Sequence, residues 1–163
     1  MERRQWILGA AVLAAAPALG YLTWSGLHPR EDEECYACRR PIHAHSKTIA
    51  IAHGRSRVFC CPACAFSERQ QEGKPVQVTS LTSFLTGAAI DPASAYVVRG
   101  SDLNMCTRTQ EVVDSDKHPA GLHYDRCAPS LIAFARREEA ARFAREHGGE
   151  VLRFPDAAAA LAK

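Results

Sequence analysis

The sequence predicts an α+β fold: two small β-β-α-β units packed together, preceded by one N-terminal transmembrane or signal helix. Three observations carry that expectation. The chain has 163 residues, enough for one compact domain or two small halves plus an appendage. Strand and helix signals run in the order β-β-α-β through the middle of the chain, and again, more loosely, towards its end. A long uncharged apolar run precedes both. The boundaries that follow are residues 1–28 for the membrane anchor or signal segment, 29–34 for a linker, 35–90 for a cysteine-rich half and 91–163 for a second half.

The apolar run extends from Trp6 to Leu27 without a charged residue. As a helix it would measure about 33 Å, enough to cross a bilayer. Arg3 and Arg4 precede it and the acidic stretch Glu31–Glu34 follows. Positive charge stays on the cytoplasmic side, so the expected arrangement is a single pass with the N-terminus cytoplasmic and the remainder periplasmic or extracytoplasmic. A signal peptide is the competing reading: "RRQWIL" resembles a twin-arginine export signal, and Ala16–Ala18 offers a small-residue cleavage site. In either case the globular part is exported.

In the first half, "SKTIAIAH" (Ser46–His53) is β-rich, "HGRSR" is a turn and "RVFC" returns as a second strand. Pro62 suits the first turn of a helix that stops at Gly73, with Pro75 beyond. "VQVT" (Val76–Thr79) reads as a third strand. In the second half, "SAYVVRG" (Ser94–Gly100) and "SLIAFA" (Ser130–Ala135) read as strands separated by a polar stretch. "RREEAARFAREH" reads as a helix with Ala140, Phe143 and Ala144 on one side and a Glu138–Arg142 pair at helical spacing. Gly148 and Gly149 end it, "EVLRF" closes the sheet, and "PDAAAALAK" is a last short helix.

Net charge is +2, with the basic residues dispersed, so composition gives no support to a nucleic-acid partner. The chain carries no G-x-S-x-G, no H-E-x-x-H and no phosphate-binding glycine loop, so an enzyme is not expected. Arg39 follows the first C-x2-C pair, where haem attachment needs histidine.

The seven cysteines carry the chemistry. An odd number excludes a monomer with every cysteine in a disulfide. Cys35 and Cys38 form one C-x2-C pair, and Cys61 and Cys64 another. The first lies before the predicted hairpin and the second where it enters the helix, as in a zinc-ribbon or treble-clef site. A two-residue gap turns both sulfurs towards one ion, and four thiolates complete a tetrahedron. The expected metal ligands are therefore Cys35, Cys38, Cys61 and Cys64. Cys60 and Cys127 are candidates for additional ligands. Cys106 and Cys127 have three readings: a disulfide across the second half, a further sulfur given to the metal by Cys127, or free buried thiols. A surplus of thiolates with few carboxylates favours Cu(I), with Zn2+ in a structural site as the alternative. A third reading is thiol–disulfide exchange at Cys61–Cys64, since a helix N-terminus lowers a thiol pKa. His43, His45, His53, His118, His123 and Met105 are the remaining soft or borderline donors.

From about Cys35 to Phe154 the chain resembles the NosL family, membrane-attached Cu(I) carriers that serve nitrous oxide reductase outside the cytoplasm. In the second half, "DPASAYVVRGSD" followed by "CAPSLIAFARREEAARFAREHGGEVLRF" is similar to the family's closing pattern: a Met-Gly-x-His-like element, an apolar "PFA" strand, a helix and "GG-x-V-x-x-F". The C-x2-C pair and "HGRSRVFCCPACA" resemble its opening pattern. The resemblance implies two β-β-α-β halves and a role in supplying copper to an exported copper enzyme, by way of a client enzyme or another copper carrier. The sequence also departs from the pattern. Arg39 and Arg40 occupy the places of a family Gly-Met, Cys127 and Ser130 stand in the family's Met and His region, and a spanning segment replaces the lipid-attachment cysteine. The all-sulfur site is thus read from these residues, not carried over from the family.

Overall fold

The structure, a computed structural model, describes residues 33–106, 115–116 and 125–161. The expected N-terminal helix over residues 1–28, and the linker as far as residue 32, lie outside them. Among the described residues no helix is long and apolar enough to cross a membrane.

The first half begins with a hairpin of β1 (Thr48–Ala52) and β2 (Arg55–Phe59), with Thr48 opposite Phe59 and Ala52 opposite Arg55. His53 and Gly54 join them at φ 53° and 71°. Two positive φ values at a two-residue loop match the right-handed twist of the paired strands. Burial alternates along β1: Thr48, Ala50 and Ala52 face the core, while Ile49 and Ile51 are more open. Helix α1 (Pro62–Glu72) follows, with Pro62 in its first turn and Gly73 ending it at φ 64°. Its residues Pro62 to Glu68 are all buried, because the helix lies between its own sheet and the second half. Strand β3 (Val76–Thr82) pairs antiparallel with the other side of β1, and the two-residue β4 (Ala89–Ile90) extends the sheet to the order β2-β1-β3-β4.

The second half repeats the plan. Strand β5 (Tyr96–Arg99) lies between β6 (Leu131–Phe134) and β7 (Glu150–Arg153), antiparallel to both. Helix α2 (Arg137–His147) connects β6 to β7, and α3 (Phe154–Leu161) follows. In each half the first strand is central, the second flanks it, and the helix carries the chain across to the other flank. The β-β-α-β order read from the sequence is therefore present twice, in a mixed fold with two antiparallel sheets. Strand β4 was not expected, since two residues show no periodicity. Ala140 and Phe143 face the core as the helical spacing predicts. Glu139 adds a feature that the apolar pattern did not disclose: its carboxylate accepts from the Arg136 backbone N–H at 3.3 Å and binds the Arg136 guanidinium.

The halves are joined by shared apolar packing. Phe84, from the first half, packs against Phe134 and Phe143 with ring centroids 5.9 and 5.2 Å away, and its backbone N–H donates to Ala133 O at 2.9 Å. Phe66 of α1 meets Phe154 at 5.9 Å. Phe66, Phe134, Phe143 and Phe154 are buried and Phe84 partly so; full burial of such a ring contributes about 1.5–3 kcal/mol relative to exposure. A larger core cluster gathers Phe59, Phe66, Leu81, Val97 and Phe154 around cysteines from both halves.

Candidate metal centre

Three pieces of backbone bring the sulfurs together. The first is the loop before β1. Cys35 N–H donates to Arg40 O at 2.9 Å, Arg39 N–H returns to Cys35 O at 2.9 Å, and Tyr36 N–H docks on Val58 O of β2 at 2.8 Å. These bonds curl Cys35 and Cys38 into a knuckle beside the end of the hairpin. Closing it takes Arg39 into the left-handed region at φ 58°.

The second piece is the junction of β2 and α1. Cys61 is the N-cap, with extended backbone (φ −162°, ψ 164°). Side chains alternate in direction along extended chain, so Cys60 and Cys61 diverge, although their sulfurs are 3.9 Å apart. Cys64 lies one turn into the helix.

The third piece comes from the second half. Asn104 is the tie: its Nδ2 donates to Cys127 O at 2.9 Å, and its Oδ1 accepts from Cys106 N–H at 3.1 Å. Asp125 fixes Cys127 further by accepting its N–H at 2.8 Å, and its other oxygen pairs with the Arg40 guanidinium at 2.8 Å. Arg40 also donates to Cys106 O and approaches Cys127 Sγ at 3.9 Å. The second-half cysteines are thus bonded to the knuckle of the first half.

The result is two sets of four sulfurs, each set lying within 4.8 Å: Cys35, Cys38, Cys60 and Cys64, and Cys60, Cys61, Cys106 and Cys127. Close pairs are Cys35–Cys64 at 3.5 Å, Cys38–Cys60 at 3.6 Å and Cys60–Cys127 at 3.5 Å. A metal–sulfur bond of about 2.3 Å places the corners of a tetrahedron about 3.8 Å apart, so these spacings suit a soft metal ion. Of the four sulfurs expected to meet, Cys35, Cys38 and Cys64 do. Cys61 belongs to the other set, and Cys60 stands in its place. The reason is the extended backbone at the helix cap, which sends Cys61 towards Cys106 and Cys127. All seven cysteines are free in this structure.

Packing the thiols together divides their protons unequally. Cys38 is held down at about 3: contact with Cys127 raises it, but hydrogen bonds with Cys35, Cys60 and Cys64 prevail. Cys35 falls to about 7, raised by Cys38 and lowered more by Cys60 and Cys64. Cys106 is lowered through Cys127, Cys60 and Cys61, whereas Cys127 is raised by Cys106 but lowered more by Cys38, Cys60 and Cys61. Cys60 and Cys61 are pushed up by Cys106 and Cys127, and Cys64 by Cys127 and Cys35. For Cys61 this reverses the expectation from the helix dipole: sulfur neighbours and burial outweigh the helix terminus.

None of the described histidines joins either set of sulfurs. His43 is exposed, the His45 ring contacts Phe84 O at 2.7 Å, and His53 faces the Glu68 carboxylate at 3.4 Å. His118 and His123 lie outside the described residues. Sequence reading missed Asn104 and the role of Asp125. The first left no signal. The second did, because an Asp two residues before a fixed position makes an Asx turn.

A family model described as NosL matches residues 27–162, and the chain belongs to the NosL family. None of the curated proteins matches it. Among solved structures, the copper chaperone NosL from Shewanella denitrificans is similar over 79% of this chain and 93% of its own, with 16% sequence identity and a TM-score of 0.48.

Proposed function

We propose that this protein is a membrane-tethered, extracytoplasmic carrier of Cu(I), which it hands to an exported copper enzyme such as nitrous oxide reductase or to another carrier. The observation that carries the reading is the all-thiol set Cys35, Cys38, Cys60 and Cys64, together with membership of the NosL family. All-thiolate ligation suits Cu(I) as it suits Zn2+, and membership of the NosL family tips the choice to copper. The copper is cargo, so the chain's work is to hold it, shield it and release it, without catalytic turnover. The uncharged run Trp6–Leu27 after Arg3 and Arg4 supports the tether and the outward orientation.

Burial suggests the route of release. Cys35, Cys60 and Cys64 are wholly buried, and Cys38 is the partly exposed member. Cys38 is also held as thiolate at neutral pH. An acceptor thiolate would attack the ion from that side, and Cys38 would be the first donor replaced. Thiolate exchange then proceeds inward, one sulfur at a time.

A structural Zn2+ site is the second reading, favoured by the burial of the three inner sulfurs and by their tetrahedral spacing. Anaerobic loading of the reduced full chain separates the two. Fast, complete loss of copper to a Cu(I) chelator, with the fold retained by circular dichroism, is the expected result. A zinc ion that resists exchange, and whose removal unfolds the chain, would overturn the carrier reading.

A further inference from the structure

We infer that the cysteines build a single two-metal cluster, with a second soft-metal site at Cys61, Cys106 and Cys127 joined to the first through Cys60 as a bridging thiolate. The inference rests on the carrier reading of the first set and extends it to a second ion. The two sets of four share one member, and between them they take up every cysteine of the chain. An odd count, unexplained by disulfides or by one tetrahedral ion, is what two tetrahedra joined at a corner require.

Geometry places the shared sulfur. Cys60 Sγ lies 3.6 Å from Cys38 on one side, and 3.5 Å from Cys127 and 3.9 Å from Cys61 on the other. A thiolate sulfur has lone pairs enough to bind two soft ions at once. The vicinal pair makes this arrangement: Cys60, directly after β2, lies between the sets, and Cys61, turned away by the extended cap, completes the far one.

The plain alternative is that Cys61, Cys106 and Cys127 are small apolar side chains filling a core. Packing alone does not call for the fixation seen here. Asn104 holds the backbone of Cys106 and of Cys127 with one side chain, and Asp125 holds Cys127 again. A guanidinium, Arg40, stands beside the set, where it would offset the negative charge of a thiolate-rich cluster. The members of this second set are all buried. Metal would therefore enter by the first set, at Cys38, and pass inward across Cys60, each newly bound thiol losing its proton to solvent.

The test uses the reduced full chain without oxygen, loaded with 113Cd(II) as a spin-active probe and, separately, with Cu(I) against a competing chelator. Two bound cadmium ions are expected, with two resonances in the range of sulfur ligation, split by coupling through one shared sulfur. Cys60→Ser should abolish the splitting. Cys106→Ser should remove one resonance and keep the other, and Cys61→Ser repeats that test should the first variant not fold. One resonance in the unaltered chain, unchanged by Cys106→Ser, would overturn the second site while leaving the carrier reading intact. Two uncoupled resonances would overturn the bridge. Failure to retain Cu(I) at all would overturn the carrier reading and this inference with it.

Discussion

Arg39 sits at φ 58°, exposed, directly after the C-x2-C knuckle. A non-glycine residue in the left-handed region costs on the order of 1 kcal/mol or more, and glycine adopts it freely. Arg39→Gly should therefore leave metal binding intact and stabilise the chain by about 0.5–1 kcal/mol, after the entropy that glycine gains in the unfolded chain. Urea denaturation of the reduced protein would register it as a higher midpoint; a lower one would show that Arg39 makes a contact worth more than its strain. Asn104 acts differently, since it holds the backbone of two proposed ligands, Cys106 and Cys127, and offers no sulfur itself. Asn104→Ala frees the backbone on both sides of the proposed second ion. A loss of about 10- to 100-fold in metal affinity is expected, the range found for groups that orient ligands, with the secondary structure unchanged. Chelator competition measures it, and an unaltered affinity would reduce Asn104 to a loop-fastening role.

At the scale of elements, the turn between α2 and β7 shows how closely the second half is packed. Gly149 has φ 92°, and a Cβ there would lie 2.8 Å from both Arg99 O and Val98 Cγ1. Backbone on one side and a core valine on the other leave no room to yield. Gly149→Ala should cost about 2–3 kcal/mol through strain and overlap, visible as a lower thermal midpoint. An unchanged midpoint would mean that the turn relaxes. The elements were largely legible in the sequence: the hairpin at His53–Gly54, the helix opened by Pro62 and closed by Gly73, and the Gly148–Gly149 stop all carry local signals. The site was legible by residue type but not by partner. C-x2-C spacing placed Cys61 with Cys64 because both lie at a helix start. The extended cap instead points Cys61 across the interface between halves, and Cys60 takes its position.

For the whole molecule, the thiol protons set a pH profile for the metal-free, reduced chain. Cys35 and Cys38 are lowered to about 7 and about 3 from an ordinary 9.0. The unfolded chain binds more protons than the native one between those values and 9.0, so stability rises with pH across that interval. It is fully present above about 9 and lost as pH falls through 7 and then 3. Cys60, Cys61 and Cys64 are raised above 9.0, and their contribution is present below 9.0 and lost as pH rises beyond it. Maximum stability near pH 9 is expected, and urea midpoints measured from pH 5 to 11 would reveal it. A maximum near pH 6 would contradict the proton distribution described above. Bound metal adds stability by mass action, about 4 kcal/mol at a free concentration a thousandfold above the dissociation constant.

Periodicity and turn chemistry were enough to read the two β-β-α-β halves, and the motifs that resemble NosL were enough to read the family, because each is written in a local pattern of a few residues. Which sulfurs meet was decided by tertiary structure alone. Cys106 and Cys127 reach Cys60 across many intervening residues through Asn104, Asp125 and Arg40, and Cys61 turns away from its nearest motif partner. No spacing rule encodes that grouping, because the distance between sulfurs is set by how the two halves pack.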